Sequence, residues 1–227
     1  MTMGVHVGAI RSVVQQLDPS SQALEEQQQL VETLARLAES KAEFFELQIR
    51  TSMRTAGGSE NDTIPVEAVL DSVTETHAYS GKSSANIGDS VTRALKSFCG
   101  GSKDEIINGV GTLITDGLST FLGDASASDT TMQRYYVMAE GFSIVRIDLC
   151  AWQFNVDAKG IQGAVEKVGA FVAVKSAVDL SKVRFNTFLN IYARQLESMQ
   201  LESQALETAL EEAKRVFHSF GTEDVTA

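Results

Sequence analysis

Apolar residues recur every three or four positions in two long segments of the chain, and glutamates fill the positions between them. The segments span about residues 20–55 and 183–220, and each spacing predicts a long amphipathic helix. A helix of thirty residues is about 45 Å long, so an antiparallel pair is the simplest way to bury both apolar stripes. The residues expected to make contacts on these stripes are Leu34, Phe45, Phe188 and Tyr192.

Four shorter segments also show helical spacing of their apolar residues. They are interrupted by loops rich in Gly, Ser, Asn and Asp, which mark the ends of helices. The predicted helices cover about residues 64–75, 90–98, 104–122 and 160–178.

The pattern changes to aromatic and β-branched residues between Met132 and Val156. Such residues favour strands, and Glu140-Gly141 divides the segment in two. We therefore predict an antiparallel hairpin with strands at about 132–139 and 142–156. The second strand is apolar on both faces, as a covered strand is, and it contains Trp152, an expected contact residue.

Together these elements predict a mostly α (α+β) fold in a single domain over residues 1–227. The expected architecture is a helical bundle with two long helices and a small antiparallel β-hairpin.

Glycines interrupt the helical pattern between Ile106 and Gly123. Gly109, Gly111 and Gly117 each cost a helix about 1 kcal/mol relative to Ala. Either another backbone packs closely on this helix, or the segment bends or leaves the bundle to act. Its polar face consists of small uncharged residues and one aspartate, which is typical of helices that insert shallowly into membranes. The residues expected to contact a membrane are Ile107, Val110, Leu113, Ile114, Gly117, Leu118, Phe121 and Leu122.

Composition excludes some functions. The chain is 43% hydrophobic and 22% charged with only two prolines, which favours a helical globular protein. Its formal net charge of -11 repels phosphate backbones, so no nucleic-acid partner is expected. The absence of Lys and Arg from the glycine-punctuated helix argues against simple adsorption to anionic lipid.

No catalytic constellation can be assembled from the sequence, so we expect no enzymatic activity and no cofactor. His6, His77 and His218 lack the spacing of a metal site, and His77 is expected to be solvated in a polar loop. Arg146 and Asp148 share one face of the second strand, where a cross-strand charge pair is a simpler expectation than the lining of a pocket. Cys150 is expected to be an inert packing residue; whether it pairs with Cys99 stays open.

Two functions remain. The combination of long acidic helices, a hairpin and glycine-rich helices resembles, in architecture only, α-helical pore-forming toxins. This resemblance favours a non-enzymatic protein that oligomerises and exposes the glycine-rich helix to a lipid membrane. The alternative is a helical protein-protein interaction or self-assembly module with no membrane activity. We expect a soluble protein, cytoplasmic as made because no signal peptide is evident, with release by another route left open.

Overall fold

The computed structural model describes residues 23–58, 63–79, 87–95, 98, 105–124, 129–140, 143–157, 165–198 and 203–220. In chain order the helices and strands are α1 (Ala23–Thr55), β1 (Val66–Tyr79), α2 (Ile87–Leu95), α3 (Glu105–Gly123), β2 (Thr130–Glu140), β3 (Ser143–Asn155), β4 (Lys167–Val178), a 3₁₀ turn (Leu180–Lys182), α4 (Phe185–Ser198) and α5 (Ser203–Phe220).

The four strands form one antiparallel sheet in the order β1-β4-β3-β2. The predicted hairpin is confirmed, because β2 pairs with β3 from Thr130 opposite Gln153 to Glu140 opposite Ser143. The hairpin is half of the sheet, however, since β4 pairs with β3 and β1 pairs with β4. The expected helical bundle with a small hairpin is therefore wrong: the fold is α+β, built around a four-stranded sheet.

Helix α1 lies along one face of the sheet, against β4, β1 and β3. Its 33 residues span about 50 Å, and strands of 11 to 14 residues are about 36–46 Å long. The sheet is thus long enough to cover the stripe of α1, and no second long helix is required. The buried core on this face consists of Val31, Leu34, Ala38, Ala42, Phe45, Ile49 and Met53 from α1 with Cys150, Trp152, Val165, Val168, Ala170, Val172 and Val174.

The other four helices cover the opposite face. Odd-numbered residues of the central strands, such as Leu149, Phe171 and Ala173, point to this side and pack with apolar residues of α2, α3, α4 and α5. Because β3 and β4 have helices on both faces, nearly every one of their residues is buried.

Two predicted helices are strands. The segment predicted as a helix at 64–75 is β1, and the segment predicted at 160–178 contains β4. In β4, apolar residues occupy both faces, and periodicity alone does not separate such a strand from a buried helix. In β1, the spacing of Val66, Val69 and Val73 imitates a helix, but pairing with β4 overrides it.

The predicted long C-terminal helix is two helices, α4 and α5, which contact each other and β2. They lie on the face of the sheet opposite α1. The expected antiparallel pair of long helices is therefore not formed, and each apolar stripe packs against the sheet from its own side.

Candidate functional site

Five large apolar side chains in the described part of the chain are more than a third exposed. They are Leu37, Phe44 and Leu47 on α1 and Val69 and Leu70 on β1. Single exposed apolar residues such as Leu37 are ordinary, but the other four, near the end of α1 and the start of β1, indicate a binding surface. The first half of β1 lies at the edge of the sheet, and residues 67–71 are all exposed.

The exposed apolar residues of α1 lie beside its buried stripe in sequence but point to a different side of the helix. Ala38 and Phe45 point into the core, whereas their neighbours Leu37 and Phe44 point outward. Leu47 lies one turn after Phe44 and is 60% exposed; among the α1 side chains that the structure describes, Leu37, Phe44 and Leu47 are the large apolar ones that are more than a third exposed.

An open cleft of about 520 Å³ lies between the C-terminal half of α1 and the start of β1. Its volume is within the range of about 300–1,000 Å³ that is typical of ligand pockets. Leu47 and Val69 belong to its two walls. The cleft is lined by Leu47, Arg50, Met53, Arg54, Ala56, Pro65, Val66, Glu67, Ala68, Val69 and Lys182.

A turn at Gly57 packs against Pro65, which lines this cleft. Gly57 has a φ of +76°, the left-handed conformation that ends helices and that glycine adopts without strain. A Cβ on Gly57 would lie 3.1 Å from Cγ of Pro65, so the two residues pack tightly. The turn therefore sets where β1 begins relative to α1.

Buried polar contacts hold the β1 wall in place. Arg146, which is 1% exposed, donates a hydrogen bond from Nη1 to the carbonyl oxygen of Ile64 at 2.6 Å. The backbone nitrogen of Asp179 donates to the carbonyl oxygen of Pro65 at 3.0 Å. Farther along β1, the hydroxyl of Thr74 donates to Oε1 of Glu46 at 2.8 Å and joins the strand to α1.

Arg146 and Asp148 pair with each other along β3, with 2.5 Å between Nη2 and Oδ1, and not in the cross-strand pair expected from the sequence. Burial raises the pKa of Asp148, and the neighbouring guanidinium opposes that shift. A buried pair of this kind is costly to break, because the remaining charge has no partner. Its role here is to position Ile64 and hence the cleft wall.

Three cations and one carboxylate line the cleft: Arg50, Arg54, Lys182 and Glu67. Nζ of Lys182 lies 2.6 Å from Oδ2 of Asp179, and this contact is the main cause that lowers the pKa of Asp179. No ion pair joins Arg50 or Arg54 to another residue of the described chain.

The glycine-rich helix is α3, and its apolar face is buried. Val110, Ile114, Leu118 and Leu122 are all 0% exposed, while Leu113, Gly117 and Phe121 are half-buried. The side chain of Ile107 lies outside the described residues. A Cβ on Gly117 would lie 3.7 Å from the hydroxyl of Tyr136, which is an ordinary contact. The close backbone packing considered from the sequence is therefore not found at Gly117.

Polar side chains of the sheet cap the C-terminal end of α3. Nζ of Lys167 donates to the carbonyl oxygens of Leu122 at 3.0 Å and Asp124 at 2.5 Å, and to Oε1 of Gln153 at 2.8 Å. Nε2 of Gln153 donates to the carbonyl oxygen of Phe121 at 2.6 Å. These bonds satisfy carbonyls that have no partner within the helix, and the ammonium suits the negative end of its dipole.

The residues predicted to contact a partner lie inside the molecule. Leu34, Phe45 and Trp152 belong to the core beneath α1, and Phe188 and Tyr192 belong to the core on the other face. Trp152 also donates from Nε1 to Oδ1 of Asp129 at 2.7 Å.

His77 lies in β1 rather than in a solvated loop. Its ring stacks with those of Tyr79 and Phe171 at centroid distances of 5.6 and 6.0 Å. Burial is the main cause that lowers its pKa to about 4, and Arg93 adds to the shift. Glu75, whose Oε2 lies 3.7 Å from Nε2, favours the charged form but does not offset burial. Burial also raises the pKa of the Cys150 thiol to about 12, as an inert packing cysteine requires.

Sequence reasoning missed the cleft because its walls come from elements that meet only in the folded chain. Phe44 and Leu47 give a signal, since both fall outside the core stripe of α1. A second signal is the spacing of Arg50 and Arg54 in an α1 segment that has no acidic residue after Glu46.

In the described ranges, no three His, Cys, Asp or Glu residues are arranged to hold a metal ion. None of the described helices is long and apolar enough to cross a bilayer. Comparison with protein-family models, curated proteins and solved structures finds no significant match to this chain.

Proposed function

We propose that this protein is a non-enzymatic interaction module that binds a protein partner at the cleft between α1 and β1. The supporting observation is that Leu47 and Val69, on opposite walls of the cleft, are 60% and 55% exposed. Full burial of an exposed Leu or Val side chain contributes about 1.5–3 kcal/mol, and more than half of that surface is still open on Leu47 and Val69.

A protein segment fits this surface better than a small ligand does. A small molecule in the cleft leaves Phe44 and Leu70 uncovered, although both are more than half exposed. A partner that lies across α1 and β1 covers the cleft and further exposed apolar surface of these elements together, as buried anchors and their surroundings are covered in protein interfaces.

The test is selection of twelve-residue random peptides displayed on phage against the wild-type protein. Each enriched peptide is then measured against the double variant Leu47→Gln/Val69→Thr. Gln suits a helix and Thr suits a strand, so these changes remove apolar contact without disturbing the fold. Leu37→Gln is the matched control, because it is on α1 but does not line the cleft.

We expect peptides that bind the wild type and Leu37→Gln equally and lose at least about ten-fold in affinity for the double variant. Selection that yields only peptides indifferent to the double variant contradicts docking at the cleft. Light scattering at rising protein concentration identifies a second copy as the occupant if wild-type association is lost in the double variant.

Membrane association through α3 is the second candidate. It is supported by the exposed side of α3, where Asp116 is the only charged residue among the described side chains. Its apolar face is buried against the sheet, so this function requires α3 to leave that face and to break the hydrogen bonds from Lys167 and Gln153.

A further inference from the structure

We infer that the partner segment is acidic, with carboxylates next to its apolar anchors; this inference rests on the proposed docking function. It follows from the cations that line the cleft of a chain whose net charge is -11.

The positive charge at the cleft is local. The N-terminal two-thirds of α1 contains glutamates up to Glu46, whereas Leu47 to Thr55 contains Arg50 and Arg54 and no acidic residue. Arg54 in the last turn interacts favourably with the helix dipole. Arg50 lies one turn earlier, where the dipole effect has fallen off, so the dipole does not account for it.

Two guanidinium groups line the cleft. Both arginines are exposed, and neither forms an ion pair within the described chain. A guanidinium binds a carboxylate through two parallel hydrogen bonds, which gives direction as well as attraction. Lys182 adds positive charge at the same cleft, although Asp179 and Glu67 partly neutralise it.

The spacing of the arginines defines what fits. Residues four apart on a helix are about 5–6 Å apart. Two carboxylates one turn apart on a partner helix, or two positions apart on an extended segment, have a similar separation. The apolar side chains Leu47 and Val69 line the same cleft as these cations, so an apolar anchor is expected beside the acidic pair.

Other anionic ligands fit less well. Inorganic phosphate engages the guanidinium groups but leaves Leu47 and Val69 exposed. A nucleic acid places many phosphates near a protein with eleven excess negative charges, and the repulsion outweighs the attraction of a few cations.

Fluorescence anisotropy with defined peptides tests the inference. The probe is a labelled twelve-residue peptide in which glutamate alternates with leucine and phenylalanine. Two matched probes carry glutamine or lysine in place of every glutamate. The proteins are the wild type, Arg50→Gln/Arg54→Gln, Leu47→Gln/Val69→Thr and the control Arg36→Gln. Arg36 is exposed on α1, about 21 Å from Arg50 along the helix.

We expect the acidic probe to bind the wild type at least about ten-fold more tightly than the glutamine and lysine probes. Arg50→Gln/Arg54→Gln removes most of that difference, whereas Arg36→Gln does not. Raising the salt concentration from about 0.05 to about 0.5 M weakens binding of the acidic probe, because salt screens these exposed charges.

The outcomes separate this inference from the docking function. Equal binding of the acidic and glutamine probes, with both lost in Leu47→Gln/Val69→Thr, overturns the acidic partner and leaves docking in place. An equal loss of affinity for the acidic probe in Arg36→Gln and in Arg50→Gln/Arg54→Gln also overturns the acidic partner. The preference for the acidic probe then comes from the overall charge of the protein and not from the cleft. If no variant changes the binding of the acidic probe, both the acidic partner and docking at the cleft are overturned.

Discussion

Gly117 and Gly169 both face the packing between α3 and the sheet, but they differ in the space around them. A Cβ on Gly169 would lie 3.1 Å from Cδ2 of Leu122 and 3.3 Å from the carbonyl oxygen of Trp152. The same atom on Gly117 would meet only the Tyr136 hydroxyl at 3.7 Å. Gly169 is therefore required by close packing, and Gly117 is not.

We expect opposite effects of alanine at these two positions. Gly117→Ala raises the free energy of unfolding by about 0.5–1 kcal/mol, because Ala is the better helix former and has room. Gly169→Ala lowers it by about 1–3 kcal/mol through overpacking. Urea unfolding measures both values. A destabilised Gly117→Ala protein contradicts the argument and favours a role for that glycine outside the folded state.

His77 gives the fold a dependence on acidity. Burial lowers its pKa from 6.5 to about 4. Between these two pH values the imidazole is protonated in the unfolded state and neutral in the folded state. Stability is therefore lost as the pH falls from about 6.5 to about 4, by up to about 3 kcal/mol.

Urea unfolding of the wild type and His77→Gln across this range checks the prediction. We expect the stability difference between the two proteins to change with pH, in favour of the variant at low pH. The carboxylates contribute equally to the pH dependence of stability in both proteins, so their contribution cancels in the stability difference. Parallel curves contradict the assignment to His77, and His218→Gln, at an exposed position, serves as the control.

At the scale of elements, Lys167 joins α3 to the sheet through three hydrogen bonds. Lys167→Met keeps the length of the side chain but leaves two backbone carbonyls and Gln153 without their donor. We expect a loss of about 2–4 kcal/mol, since each buried unsatisfied group costs about 1–3 kcal/mol. Hydrogen exchange of α3 reports whether the loss is local.

The matched control is Lys214→Met on α5, where the lysine forms an exposed pair with Glu211. Such pairs contribute about 0–1 kcal/mol. Similar stability of the two methionine variants contradicts the capping role of Lys167.

Gln195 connects α4 to the edge strand β2. Its side-chain amide accepts a hydrogen bond from the nitrogen of Val137 at 2.8 Å and donates one to the carbonyl oxygen of the same residue at 2.7 Å. Gln195→Leu leaves both backbone groups buried without this partner, so we expect a loss of about 2–3 kcal/mol and faster exchange of the Val137 amide. Gln48→Leu, which removes an exposed bond to Gln133, costs less; equal costs contradict the prediction.

These elements also show how far the sequence predicts this fold. The hairpin was predictable because Tyr135, Tyr136 and the β-branched residues of β3 mark strands. β4 was not, because both of its faces are apolar and periodicity alone does not separate such a strand from a buried helix. The candidate membrane helix was placed correctly as an element, but the burial of Val110 and Ile114 depends on a sheet larger than expected. The cleft requires the pairing of β1 with β4, which brings β1 beside α1 only in three dimensions.

At the scale of the whole molecule, both edges of the sheet are protected from pairing with other chains. At the β2 edge, the side chain of Gln195 forms hydrogen bonds with the backbone N–H and C=O groups of Val137. At the β1 edge, the strand has register irregularities between Val66 and Ala68 and between Val69 and Asp71. Irregular edges and polar caps are common protections against edge-to-edge aggregation. Docking at the cleft is therefore expected to use side chains rather than an added strand.

The membrane candidate is tested on the whole protein. If α3 acts on membranes, loosening its cap with Lys167→Met raises dye release from vesicles above that of the wild type and of Lys214→Met. Neutral, anionic and sterol-containing vesicles are compared. Equal release by the three proteins on every vesicle contradicts membrane action through α3.

The order of the strands has a consequence for synthesis. β1 is translated early, but its neighbour in the sheet is β4, whose residues follow roughly a hundred positions later. Until β4 leaves the ribosome, α1 has no completed surface to cover, and its apolar stripe stays accessible to chaperones. Folding of α1 and β1 is thus expected to wait until β4 has been synthesised, and nascent chains that end before β4 should be substrates for quality control.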